Sequence, residues 1–226
     1  MGGRGLKQTT RAMLTRELSR TVALHRVGET IATLEGYLHR LGELGEAVDL
    51  TAYETDEAVV LGLVLPALRA WHLTRPAPGA ELLDLGAGNG AFAVTAALLH
   101  PESRVTALDS RRRVADFLSS VSVELQMSNL HVRCEQAEYA RRGLAARFAI
   151  VGTRAMAAPS DALEMAMPFV APGGSLLLWH VREHTFTDDA AARAGFHPCG
   201  QADLSDLALR LVLSSLRGPV PCGKRC

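Results

Sequence analysis

The chain has 226 residues, 48% of them hydrophobic and 21% charged, with 24 Lys and Arg balanced by 24 Asp and Glu. That length holds one sizeable α/β domain plus an extension. No apolar run nears the ~20 residues of a bilayer span, and a net charge of zero argues against a protein that coats nucleic acid indiscriminately.

Charge is unevenly spread. Residues 1–40 hold seven Lys or Arg against three Glu, whereas residues 41–66 hold six acids and no base. Such a pair of segments either steers a partner or pairs internally. The first 16 residues carry Arg4, Lys7, Arg11 and Arg16 with no apolar leader, so they read as a basic terminus and not a secretory signal. Cys134, Cys199, Cys222 and Cys226 are not spaced as a disulfide framework. A reduced, cytoplasmic protein is expected, with no metal site and no membrane association. The pair in "CGKRC" supplies too few ligands for a metal.

In chain order, residues 13–48 repeat apolar residues three and four apart, which predicts helix, divided at Gly28. Thr55 or Asp56 caps a next helix, "EAVVLGLVLPALRAW", which Pro66 should kink or interrupt for want of an amide donor. After a turn at 74–79 the rhythm changes. "AELLDL", "RVTALD", "HVRCE", "RFAIVGT" and "SLLLWHV" read as buried strands. Between them lie helices at "AFAVTAALLH", "RRRVADFLSSVSVELQM" and "SDALEMAMPFV", the last capped by Ser160, with "APGG" as a tight turn. Residues 195–217 supply a final antiparallel pair. The prediction is an α/β, Rossmann-like, doubly wound and mostly parallel sheet spanning residues 76–226, with residues 1–75 an N-terminal helical extension.

In "LLDLGAGNG" the glycines Gly86, Gly88 and Gly90 fall at alternate positions directly after the first strand. Ligands of such sheets sit beyond the carboxyl ends of the strands. The dinucleotide fingerprint G-x-G-x-x-G is not met, since Ala91 stands after Gly90. A nucleotide without a phosphate bridge fits better, namely S-adenosylmethionine with its methionine part along the loop. Asp84 then holds water or the ligand's ammonium group; beside a pyrophosphate it would repel. Asp109 ends the second strand, where a carboxylate can accept both ribose hydroxyls, and Glu138 follows the third strand near the adenine.

These segments resemble the bacterial small-subunit rRNA guanine-N7 methyltransferases, the RsmG or GidB family. The resemblance is carried by "YLHRLGELGEAVDLTAY", "LLDLGAGNG", "VTALDSRRRVADFL", "NLHVRCEQAEY" and "TRAMA", over roughly residues 35–180. It implies a class I methyltransferase fold, S-adenosylmethionine as cofactor and small-subunit RNA as partner. It places Gly86 and Ala91 at the methionine end, Ser110 at the start of the helix after Asp109, Ala137 and Glu138 at the adenine, and Arg154 facing both cofactor and acceptor. The chain departs from the family pattern at several points. Ala91–Ala96 replaces a Pro-Gly continuation, Asp49 replaces the asparagine of an N-L-T motif, His180 stands where the family has lysine, and "LSDLALR" replaces a late G-E-R-H segment.

The chemistry expected is in-line displacement at an activated methyl, to which a protein contributes alignment and a dry cleft. Guanine N7 has a free lone pair and needs no base. Arg154 can hydrogen-bond a guanine O6. His180 either orients the acceptor or serves as base for an oxygen nucleophile. Arg111, Arg112 and Arg113, extended by Arg141, Arg142 and Arg147, form a candidate phosphate-binding patch. Three functions stay open at this point: the rRNA methyltransferase, the same chemistry retargeted to a small molecule or another RNA, and cofactor binding without transfer.

Overall fold

Strands of alternating or continuous Leu, Val and Ala dominate the centre of the chain, and in the computed structural model they pair into one seven-stranded sheet of order β3-β2-β1-β4-β5-β7-β6. The structure describes residues 6–48, 50–154, 159–181, 192–204 and 211–218. The parallel core is β1 (Glu81–Leu85), β2 (Arg104–Asp109), β3 (Leu130–Cys134), β4 (Phe148–Arg154) and β5 (Val170–Val181). The expected antiparallel pair is present as β6 (His197–Asp203) and β7 (Leu211–Arg217), with β7 joined to β5. This is the predicted mostly parallel, doubly wound architecture.

Side-chain alternation splits the sheet into two buried faces. Leu82, Val105, Ala107, Ile150 and Leu177 face the helices α1 (Gln8–Leu18), α2 (Leu24–Val48), α4 (Leu65–Leu73), α5 (Ala91–Leu99) and α6 (Arg112–Glu124). Leu83, Leu85, Leu108, Val151 and Leu176 face α7 (Ala137–Leu144) and α8 (Pro159–Ala166). Residues from Leu14 to Trp71 share a single apolar core with the first face of the sheet. Trp71 stacks on Phe92 at 4.8 Å between ring centroids, and Phe92 meets Trp179 edge-on at 5.2 Å.

Several boundaries differ from the expected ones. The first helical stretch breaks at residues 19–23, not at Gly28, which lies inside α2 with open space around it. Thr55 does cap α3 (Asp56–Val59), accepting from the Ala58 amide at 3.2 Å. The expected interruption at Pro66 is present: a π-turn, Val60–Val64, precedes α4 and leaves the proline in the first turn of α4. Here a ring without an N–H is tolerated.

Helix α7 was not anticipated, although Ala140 and Leu144 mark its buried stripe at i and i+4. "APGG" is absorbed into β5, whose pairing with β4 jumps from Phe148↔Val170 to Ile150↔Ser175. Ser160 does not cap α8, which begins at Pro159. Asp49, His184, Cys222, Cys226 and most of "LSDLALR" lie outside the described residues. No described helix is long and apolar enough to cross a membrane.

Candidate active site

The carboxyl ends of β1, β2 and β4 open into a cavity of about 850 Å³. Its floor is the loop that the glycines predicted. Gly86, Gly88 and Gly90 take φ of 70°, 53° and 83°, a region that a Cβ disfavours. The loop is tied down from β2: the Gly86 and Ala87 amides both donate to the Leu108 carbonyl, at 2.8 and 3.0 Å. The Gly88 amide donates to Asp109 Oδ2 at 3.0 Å. Asn89 closes the turn, its Oδ1 accepting from the Ala91 amide at 3.1 Å.

Asp109 therefore already has work within the protein. Its carboxylate also accepts from the Arg111 amide at 2.9 Å and from the Arg111 guanidinium at 3.2 and 3.3 Å. Burial pushes this carboxyl up, but the bonds from Arg111 and Gly88 outweigh it and hold it below the usual carboxylate value. A sugar diol reaching Asp109 has to displace the half-exposed Arg111 guanidinium. The patch proposed for Arg111–Arg113 is thus partly engaged: Arg111 with Asp109, Arg112 with Asp116. Arg147 pairs with Glu81 at the amino end of β1, away from this mouth.

Asp84 lies beneath the loop, only 4% exposed, and accepts from the Ala93 amide at 2.9 Å. Burial drives its carboxyl up to about 8, Asp109 adds to the rise, and the Ala93 amide and Arg154 offset part of it. A buried acid that wants a proton at neutral pH is one that a neighbouring cation would return to the anionic form. That fits the ammonium or sulfonium of S-adenosylmethionine. So does the glycine-rich loop, and so do Ser110, Gln136, Ala137 and Glu138, which line the far end where an adenosine would extend.

The opposite wall comes from the N-terminal helical layer and β5: Thr51, Tyr53, Leu63, Ala67 and Trp179. Arg154, at the tip of β4, stands between the two halves and donates to the Gly62 carbonyl at 2.6 Å. Burial lowers its pKa, while Tyr53, Tyr37 and Asp84 favour its charge. Tyr37, fully buried on α2, donates to the Asn89 carbonyl at 3.1 Å and so joins that layer to the glycine loop. Burial, with Asp84 adding to it, pushes the Tyr37 phenol above its usual value.

Of the residues singled out in the sequence, Asp84, Gly86, Gly88, Ala91, Asp109, Ser110, Ala137, Glu138 and Arg154 line this one cavity. Gly90 does not; a Cβ there would sit 2.2 Å from Leu118 Cδ2, so its lack of a side chain serves helix packing. His180 is not among the described lining residues. Strand alternation puts its neighbour Trp179 on the cavity face and His180 on the other, buried and paired in register with Val212. Tyr37, Tyr53 and Trp179 were missed. Tyr37 opens and Tyr53 closes the quoted "YLHRLGELGEAVDLTAY" segment, so a signal for both existed. Trp179 sits among core-like residues and gave none.

An open sheet of this order, carrying a glycine-rich loop at its carboxyl edge and an acid at the next strand end, defines a Rossmann-like class I methyltransferase fold. A S-adenosylmethionine-dependent methyltransferase from Aquifex aeolicus superposes with TM-score 0.57 at 14% identity, covering 73% of this chain and 94% of that one. A fibrillarin from Aeropyrum pernix, solved with natively bound S-adenosylmethionine, gives 0.54 at 17% identity, covering 67% and 73%. The family model described as rRNA small subunit methyltransferase G, GidB, matches residues 30–193, and the chain belongs to that family. A Sorangium cellulosum protein named ribosomal RNA small subunit methyltransferase G is 33% identical over 150 residues, covering 66% of this chain and 63% of the relative. The chain thus spans a little under two thirds of that relative's length.

Proposed function

We propose that the protein transfers a methyl group from S-adenosylmethionine to N7 of a guanine in small-subunit ribosomal RNA. The observation that carries this is the two-sided cavity. One half is bare backbone flanked by Asp84 and Asp109; the other is Tyr53 and Trp179 around the Arg154 guanidinium. S-adenosylmethionine supplies a methyl already activated on a positive sulfur. Everything else asked of the chain is alignment and exclusion of water. The glycine loop and Asp84 hold the charged end. Asp109 takes the sugar once Arg111 gives way. Tyr53 and Trp179 line the side a base would enter, and Arg154 offers donors in a planar fork suited to O6 and N7 edges. No general base lines the acceptor side among the described residues, which suits a nitrogen that carries no proton. Family membership supports the RNA substrate.

The test is transfer of labelled methyl to isolated small subunits that lack the modification, followed by mapping of the labelled nucleotide. Label at N7 of one guanine is expected; label in no RNA would refute the reading. A small-molecule acceptor is the second reading, favoured by the acids Glu54, Asp56 and Glu57 directly after Tyr53, which repel phosphate. Label appearing in a metabolite extract and not in subunits would select it.

A further inference from the structure

An α-helical carbonyl is normally taken by the amide four residues on. For Gly62 that residue is Pro66, which has no amide hydrogen. The surrounding turn is widened to π geometry over Val60–Val64, with the Leu65 amide reaching back to the Val60 carbonyl. The Gly62 carbonyl is taken instead by Arg154 Nη2, 92 residues away, at 2.6 Å. A side chain at position 62 would push Tyr53 aside: a Cβ would lie 2.2 Å from Tyr53 Cζ and 2.3 Å from its hydroxyl oxygen. The Tyr53 phenol therefore lies against the Gly62 backbone, where its hydroxyl favours the charged form of the Arg154 side chain. A carbonyl to which Pro66 cannot donate, a glycine that leaves room for a tyrosine ring, and that tyrosine's hydroxyl all meet at one guanidinium.

We propose that Tyr53, Gly62 and Pro66 form a seat that fixes the Arg154 guanidinium at the boundary between the two halves of the cavity, and that all three are positioning residues for methyl transfer. The guanidinium has five N–H donors, so fastening one edge leaves others for the acceptor. An unseated arginine would sample many rotamers, and misplacement of about 1 Å can cost on the order of a hundredfold in rate. The π-turn belongs to the helical layer, so that layer takes part in the site and does not merely cover the sheet. The catalytic half of the inference rests on the methyl-transfer reading above; the seat itself does not.

Pro66→Ala returns an amide that can reclaim the Gly62 carbonyl, and Tyr53→Phe removes the hydroxyl while keeping the ring. Each is expected to lower kcat about tenfold with cofactor Kd unchanged within twofold by calorimetry. In an Arg154→Ala background neither should lower kcat further, a coupling that a purely structural role would not give. Independently of turnover, nitrogen-15 NMR should show slowly exchanging Arg154 Nη hydrogens, identified by their loss in Arg154→Lys, and these should vanish in Pro66→Ala. Additive losses in the Arg154→Ala background, or Nη signals unchanged in Pro66→Ala, would overturn the seat. If Pro66→Ala does not fold, the same two readouts on Tyr53→Phe decide. If the wild-type protein methylates no subunit RNA, the substrate reading fails and the NMR result still decides the seat.

Discussion

Asp84→Asn should stabilise the cofactor-free protein, and by an amount that grows with pH. The carboxyl is 4% exposed and its pKa rises from 3.8 in the unfolded chain to about 8 in the fold, chiefly through burial. Between those two values the native state holds one more proton than the unfolded state. Stability is therefore fully present below pH 3.8 and declines as pH rises toward 8, by up to about 1.4 kcal/mol per pH unit. Asparagine keeps an acceptor for the Ala93 amide and has no proton to lose. From pH 5 to pH 7 the variant should thus gain a few kcal/mol, on the order of 3, on the wild type. Urea unfolding of both proteins at pH 5, 6 and 7 without cofactor reads the difference directly. A difference that stays constant across that range would refute the reasoning, because it would mean that Asp84 is ionised in the fold throughout. The companion expectation is functional: cofactor affinity of the wild type should climb as pH approaches 8, and that of Asp84→Asn should be weaker and flat.

Asp109→Ala should weaken cofactor binding by two orders of magnitude or more, since it removes the sugar acceptor and also frees the Gly88 amide that shapes the loop; unchanged affinity by calorimetry would contradict the site. Arg111→Ala should do the reverse: with its guanidinium half-exposed the pair is worth on the order of 1 kcal/mol, so removing the competitor should tighten cofactor binding up to about fivefold, and a loss of affinity would show that Arg111 helps hold the ligand. Arg154→Ala should lower turnover far more than cofactor affinity in paired kinetic and calorimetric measurements, and equal losses would reassign it to the cofactor. Thermal unfolding should separate two glycines: Gly28→Ala, inside α2 with nothing within 4 Å, should gain about 0.5–1 kcal/mol, whereas Gly90→Ala, at φ 83° and 2.2 Å from Leu118, should lose about 1–3 kcal/mol.

The sheet and the cofactor half of the cavity were legible because their signals are local. A strand reads from its own run of Leu and Val, and a glycine loop with an acid before it and another one strand later is written in about thirty consecutive residues. The acceptor half is not local. Trp179 reads as core, and only its register opposite Arg154 brings it to the cavity. His180, one residue on, drew attention as a polar residue at a strand end, and a one-residue step puts it on the other face. Pro66 was noticed as a helix breaker, yet its consequence appears four residues earlier, at a carbonyl that only the folded chain brings to Arg154. The cationic patch fared similarly: composition shows arginines, whereas the fold shows which ones Asp109, Asp116 and Glu81 already hold.

The wall that Tyr37, Tyr53 and Gly62 build has a bearing on how such a protein could be redirected to a new acceptor. Exchanging the helices before β1 for those of a distant relative looks like a way to trade one recognition surface for another while keeping the sheet intact. Here it would also strip the arginine of its anchorage and the glycine loop of the phenol that braces it. A hybrid that kept its own Tyr53, the Gly62–Pro66 turn and Tyr37, and borrowed only the outward-facing positions of α1 and α2, should tolerate the graft.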